Sequence, residues 1–252
     1  MVSSLRFSAQ GMSSVPVKPM EEYFAGKKVL ITGATGFIGS HLVERLVSLD
    51  AQVTAIGPFL GWRKPVKSLL QEGRARFVKL RAFWNPSATE RIKSDIQGAE
   101  YVVHLGYVMP RGRSILEKAN DDIRRNVLGT VLFFQSLPES VSKICFASST
   151  VVYGSNPPLP VSEMDCVNPI NVYASGKLAT ENYLRLYAKE TGILASILRY
   201  STVYGPMETD PRAIPNFIRR VLAGRPPVIY GKGGDVSDYV HVQDVVEATL
   251  LA

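Results

Sequence analysis

The feature that most constrains this chain is Gly33-Ala34-Thr35-Gly36-Phe37-Ile38-Gly39, which follows the apolar run Val29-Leu30-Ile31-Thr32 and opens a helical stretch over 38–49. A glycine triplet alone says little. At a strand-to-helix junction it requires a sharp turn, bare backbone and a helix lying close to the strand it leaves. Gly33 permits the turn, Gly36 leaves the backbone open to a pyrophosphate, and Gly39 lets the helix approach the sheet. The helix N-terminus adds free N–H groups and a partial positive charge for phosphates. The reading is a dinucleotide held by Gly33, Thr35, Gly36, Phe37, Ile38 and Gly39. A turn with only a structural role is the alternative.

The remainder of the chain extends this unit. Apolar, β-branched runs recur at 29–32, 53–56, 76–80, 101–105, 143–147 and 194–198, and helical stretches fall at 38–49, 87–96, 121–137 and 173–189. Continuous apolar strands alternating with helices imply a parallel sheet covered on both faces. Right-handed crossovers then give an α/β, doubly wound parallel sheet of the Rossmann kind. After Tyr204, prolines at 206, 211, 215, 226 and 227 break the pattern. The expected organisation is a leader over 1–26, a dinucleotide-binding domain with the chemistry over 27–200, and part of a smaller substrate lobe over 201–252. The lobe reads as incomplete because the chain stops inside a helix.

Composition narrows the class. At 252 residues, 46% hydrophobic and 20% charged, this is ordinary globular material. No apolar run reaches the roughly 18 residues of a membrane span. Cys145 and Cys166 are too few for a disulfide framework and form no metal-binding pattern, so no metal site is expected and a reducing, cytoplasmic setting follows. Cys145 reads as a buried small hydrophobe. The leader is Ser-rich and has no acid before Glu21; a flexible segment is the first reading and an organelle-targeting segment the second. The net charge of +7 owes much to Arg63, Lys64, Lys67, Arg74, Arg76, Lys79 and Arg81. A solvated face is the expected reading of that stripe, ahead of a phosphorylated ligand, with nucleic acid last.

Two further patterns concern chemistry. The second strand of a dinucleotide fold usually ends in an acid that binds the adenosine ribose, about 20 residues after the glycines. Here it ends in Gly57, with Arg63 and Lys64 following, which leans toward the extra phosphate of NADP but leaves NAD(P) undivided. Tyr173 and Lys177 share a helix face at i, i+4. An ammonium and a nicotinium cation both favour phenolate, so the pair suits a general base near neutral pH. Ser149 ends a strand at the sheet's C-terminal edge, placed to hydrogen-bond a reacting oxygen.

Taken together, Thr32-Gly33-Ala34-Thr35-Gly36-Phe37-Ile38-Gly39, His104-Leu105-Gly106, Asn126-Val127-Leu128-Gly129-Thr130, Ser148-Ser149-Thr150-Val151-Val152-Tyr153-Gly154, Tyr173-Ala174-Ser175-Gly176-Lys177, Leu198-Arg199-Tyr200-Ser201-Thr202-Val203-Tyr204-Gly205-Pro206 and Asp238-Tyr239-Val240-His241-Val242-Gln243-Asp244-Val245 are ordered and spaced as in one family. The sequence resembles the extended short-chain dehydrogenase/reductases, within them the NAD-dependent epimerase/dehydratase group acting on nucleotide sugars. The resemblance implies hydride removal from a sugar carbon to NAD(P), through a keto intermediate. Tyr173 is then the base, Lys177 orients it and lowers its pKa, and Ser149 polarises the oxygen. Arg63, His104, Leu105, Gly106 and Asn126 fall on the cofactor side, with Asn126 chiefly fixing helix to sheet; Ser149, Thr150 and Thr202 fall on the substrate side.

The departures matter. The Asp-Glu pair of the dehydratases is replaced by Thr150 and Val151. A substrate-contacting Asn is Thr202, a diphosphate-clamping Arg is Ser237, and the usual Asp-Leu near the adenine is absent from Leu80-Arg81-Ala82-Phe83. The first reading is an NAD(P)-dependent epimerase or related oxidoreductase with a small-molecule partner, a nucleotide sugar, and a homodimer among the assemblies to consider. A reductase of a non-sugar ketone or alcohol is the second, and a non-catalytic cofactor-binding or RNA-associated protein the third.

Overall fold

The computed structural model describes residues 19–58, 64–80, 83–234 and 236–252. Six strands form one parallel sheet: β1 (Lys28–Thr32), β2 (Gln52–Gly57), β3 (Ala75–Lys79), β4 (Tyr101–His104), β5 (Lys143–Ser149) and β6 (Leu194–Tyr200). Their spatial order is β3-β2-β1-β4-β5-β6, so chain direction across the sheet reverses between β1 and β4. Thr32 pairs in register with Ile56 on one side and with His104 on the other. Such a reversal opens a crevice beyond the strands' carboxyl ends. The central strands are buried along nearly their whole length, as strands covered on both faces must be.

Helices α1 (Met20–Phe24), α2 (Phe37–Ser48), α3 (Lys64–Gln71), α4 (Pro86–Ile92), α5 (Ile115–Asp122), α6 (Gly129–Gln135) and α7 (Val172–Thr191) fill the connections or precede the sheet. One apolar cluster joins β1, β2 and α2 on one face; Cys145 lies in it, its thiol pushed up to about 12 by burial. The second cluster, on the other face, gathers Leu30, Ile144, Phe133, Phe146 and Leu184.

The structure differs from the sequence reading in four places. The expected leader extends to residue 26, yet α1 is built into the fold: Phe24 is buried and Tyr23 stacks on Tyr101 at 5.7 Å. α3 was not anticipated; its Val66 and Leu69 join the first cluster. The single helix expected over 121–137 begins earlier, at Ile115, because Ser114 accepts a hydrogen bond from the Glu117 backbone at 3.1 Å. It then runs through a π-helical stretch, Ile123–Leu128, before α6. Finally, 201–252 is not all lobe. β7 (Thr202–Tyr204) and β8 (Tyr239–His241) pair in parallel, with α8 (Ala213–Leu222) between them. α9 (Val242–Leu251) then returns to the sheet, where Val246 enters the first cluster and Glu247 pairs with Arg45 of α2.

Of the basic stripe, Arg63 and Arg81 lie outside the described residues. Arg76 pairs with Asp95, and Arg74 stands 3.9 Å from Glu72; both arginines are more than half exposed. No helix among the described residues is long and apolar enough to cross a membrane.

Candidate active site

A cleft of about 620 Å³ opens where the sheet order reverses. Its floor is the glycine turn. Gly33 has φ +69°, and a Cβ there would lie 2.9 Å from the Gly106 nitrogen. A Cβ on Gly39 would stand 2.2 Å from the Gly33 carbonyl oxygen, so helix and turn touch through bare backbone. Gly36 differs: a Cβ would meet only that same carbonyl, at 3.1 Å, and its φ of −79° suits any residue. The fold therefore does not demand glycine at 36, whereas a ligand crossing the turn does. No side chain caps α2 at Gly36, leaving its first N–H groups for an anion. These features fit a dinucleotide pyrophosphate. Thr35 stands apart from the cleft, over Gly57: a Cβ on Gly57 would lie 2.8 Å from the Thr35 hydroxyl, so an acid there would require Thr35 to shift. Arg63 lies outside the described residues.

Beside the turn, Leu105 lines the cleft, but His104 and Asn126 serve it from behind. The Gly106 N–H donates to the Thr32 hydroxyl at 3.0 Å. The same hydroxyl shares a hydrogen bond with His104 Nδ1, 2.7 Å away, and His104 Nε2 shares one with the Thr130 hydroxyl at 3.0 Å. Burial among Phe83, Phe133, Phe134 and Phe146, with Lys177 nearby, lowers the imidazole to about 3, so it is neutral. Asn126 spends its amide on Val108, accepting from its N–H and donating to its carbonyl, both at 2.8 Å, and on Asp122. Both residues thus hold the backbone that shapes the cleft; neither lines it.

Ser149, Thr150, Tyr173, Lys177 and Thr202 line the cleft together. α7 begins at Asn171, whose side chain accepts from the Ala174 backbone at 2.8 Å; this cap puts Tyr173 and Lys177 on its first turns, facing β5. The Lys177 ammonium is 3% exposed, donates to the Ala147 carbonyl at 2.7 Å and sits 4.3 Å above the Tyr107 ring. Desolvation lowers it to about 7 against the pull of Asp122 and Glu181. Burial raises the Tyr173 phenol, while a hydrogen bond from Ser149 and the charge of Arg212 draw it down. The sequence reading made Lys177 the group that lowers this phenol. Here the ammonium donates to the Ala147 carbonyl and stands 5.8 Å from the centre of the Tyr173 ring. Thr150 reaches only the Tyr200 carbonyl, at 3.4 Å, and no carboxylate stands at 150 or 151.

Sequence reasoning missed several groups. Tyr107 lies edge-on to Tyr173 at 5.0 Å and donates its hydroxyl to Asp122. Asp122 packs so tightly on α7 that a Cβ at Gly176 would come within 1.9 Å of its Oδ2, which explains the glycine between Tyr173 and Lys177. Fully buried Glu181 accepts from Ser148 and Arg185, and from Arg199 at 2.7 and 3.1 Å; Arg199 also donates to the Tyr153 hydroxyl at 2.7 Å. A cation inside the apolar β6 was a usable signal for that last pair. Nothing in the sequence marked Tyr107, Glu208 or Arg212 as cleft residues.

The profile of a family described as the NAD dependent epimerase/dehydratase family matches residues 29–252. The UDP-glucose 4-epimerase of Mycolicibacterium smegmatis is 35% identical over 242 residues, covering 89% of this chain and 72% of that one. Among solved structures, UDP-glucose 4-epimerase of Thermotoga maritima with UDP-glucose superposes with a TM-score of 0.77 at 33% identity, covering 89% and 72%. UDP-glucuronic acid 4-epimerase of Bacillus cereus, in complex with UDP-glucuronic acid and NAD, does so with 0.73 at 27%, covering 88% and 72%.

Proposed function

The chain belongs to the NAD-dependent epimerase/dehydratase family, and from that premise we propose that it inverts a hydroxyl-bearing carbon of a nucleotide sugar by way of a ketone. The observation that carries this is the convergence of Ser149, Tyr173 and Lys177 on the cleft floored by the bare turn at Gly36. When bound, NAD(P) accepts the hydride from the sugar carbon and gives it back. Gly33, Gly36, Phe37, Ile38, Gly39 and Leu105, which line the cleft, would hold it, with Lys177 in the same cleft. Ser149 fixes the reacting oxygen. Tyr173 Oη, as the phenolate that the Ser149 hydrogen bond, Arg212 and the positive charge of a bound nicotinamide would favour against burial, takes the hydroxyl proton as the C–H bond breaks and returns it when the ketone is reduced on the opposite face. Thr150 and Thr202 contact the sugar. Thr150 and Val151 stand in place of an acid pair and offer no proton shuttle for the elimination of water.

The test is incubation of the NAD-supplemented protein with UDP-glucose or UDP-galactose and separation of the products. Interconversion of the two, without any 4-keto-6-deoxy sugar, is expected; absence of both epimers' exchange would overturn the reading. The unpaired Cys145 and Cys166 suit a reducing, cytoplasmic setting, which tagging in cells would check. We also assign a homodimer, through the apolar face left exposed at Ile115 of α5, Ile123 of the π-helical stretch, Ile170 just before α7, and Tyr183 and Leu186 of α7. A monomer in sedimentation equilibrium at micromolar concentration would refute it.

A further inference from the structure

Two carboxylates at the cleft are left unused by this chemistry, the exposed Asp210 and the buried Glu208. Glu208 follows β7, in a loop where Met207 takes φ +67° and the Glu208 N–H donates to the Gly205 carbonyl at 3.3 Å. Its side chain is 3% exposed, and neither carboxylate oxygen receives a hydrogen bond. Arg212 Nε stays 3.7 Å from Oε1, while another arm of that guanidinium lies 3.6 Å from Asp210. The contrast with Glu181, whose carboxylate is saturated by Ser148, Arg185 and Arg199, is plain. Burial raises the Glu208 carboxyl above the usual carboxylate range despite Arg212 and Arg219. A buried acceptor without a donor is unfavourable, and it is relieved when a ligand brings the donor.

Resting on the nucleotide-sugar reading above, we propose that Glu208 accepts hydrogen bonds from the sugar's hydroxyls and selects nucleotide sugars with an uncharged hexose over those with a uronate. Glu208 belongs to the wall of the same cleft as Ser149, Tyr173 and Thr202. Hydroxyl-to-carboxylate bonds are charge-assisted and stronger than neutral ones. A sugar carboxylate brought into this space meets two like charges, Glu208 and Asp210, against the single guanidinium of Arg212, which stands 3.7 and 3.6 Å from them.

The experiment is calorimetry on the full chain saturated with NAD, titrated with UDP-glucose and separately with UDP-glucuronate. The wild type is expected to bind UDP-glucose about 10–100-fold more tightly. Glu208→Gln keeps the shape but removes the charge; it should weaken UDP-glucose about tenfold and bring the two ligands within about threefold of each other. Glu208→Asp, which withdraws the charge by one methylene, should weaken UDP-glucose yet still disfavour the uronate. Equal binding of both ligands by the wild type, or an unchanged preference in Glu208→Gln, overturns the proposal and leaves the epimerase reading intact. Wild-type protein that takes NAD but neither sugar nucleotide overturns the nucleotide-sugar reading, and this proposal with it.

Discussion

Gly36 and Gly39 stand one helical turn apart and answer to different demands. A side chain at 36 meets one carbonyl and otherwise fills the cleft, whereas one at 39 collides with the backbone of the turn. Gly36→Val should therefore keep the fold, read as an unchanged circular dichroism melt, and lose NAD(P) binding by calorimetry. Gly39→Ala should lower the melting temperature in the same assay. Tyr173→Phe removes only the hydroxyl that carries the proton, so turnover should fall about 10²–10⁴-fold with cofactor affinity nearly unchanged; full activity in that variant would remove Tyr173 from the chemistry. His104 yields a pH prediction. Its folded value, about 3, lies below the ordinary 6.5, so the unfolded chain binds the proton first and stability falls as pH drops from 6.5 toward 3. At pH 5 the loss is about 2 kcal/mol, read as a lower urea midpoint than at pH 7. Lys177, at about 7, is protonated in both states over most of that window and adds little slope. Residues whose roles come from local spacing, such as the glycines and the Tyr173–Lys177 pair, were legible in the sequence. Tyr107, Asp122 and Glu208 were not, because their partners lie on other elements and no local pattern marks them.

At the scale of elements, the strands were legible because burial on both faces writes itself as unbroken apolar runs. The helix after β4 was legible only in its second half. The inward turn of Asp122 and Asn126 accompanies the π-helical stretch, and hydrophobic periodicity does not register such an insertion. α3 was hidden by the basic residues around it. The join between α7, β5 and β6 rests on Glu181, which takes hydrogen bonds from both sides. Replacing Arg199 with Met leaves that carboxylate buried with part of its shell missing, at a cost of about 3–5 kcal/mol. Urea unfolding measures it; a midpoint within error of wild type would mean that Arg185 and Ser148 suffice.

At the scale of the whole molecule, the alternation of strands and helices was enough to anticipate a doubly wound sheet, and the glycine turn located its crevice. The lobe was harder to read, because its short, proline-broken elements carry no period. The chain leaves the sheet after β6 and comes back as α9, with β7 and β8 paired side by side at the point of departure and return. The segment between them is thus a handle attached at two points, not a tail hung from one. Its outer stretch, residues 221–234, is exposed throughout. A protease that cuts there severs the covalent chain without freeing either piece, since α9 stays docked through Val245, Val246 and the Arg45–Glu247 pair. The nicked protein should travel as one species through gel filtration under native conditions and fall into two fragments only in denaturant. Separation in native buffer would show that α9 is held by its peptide connection alone.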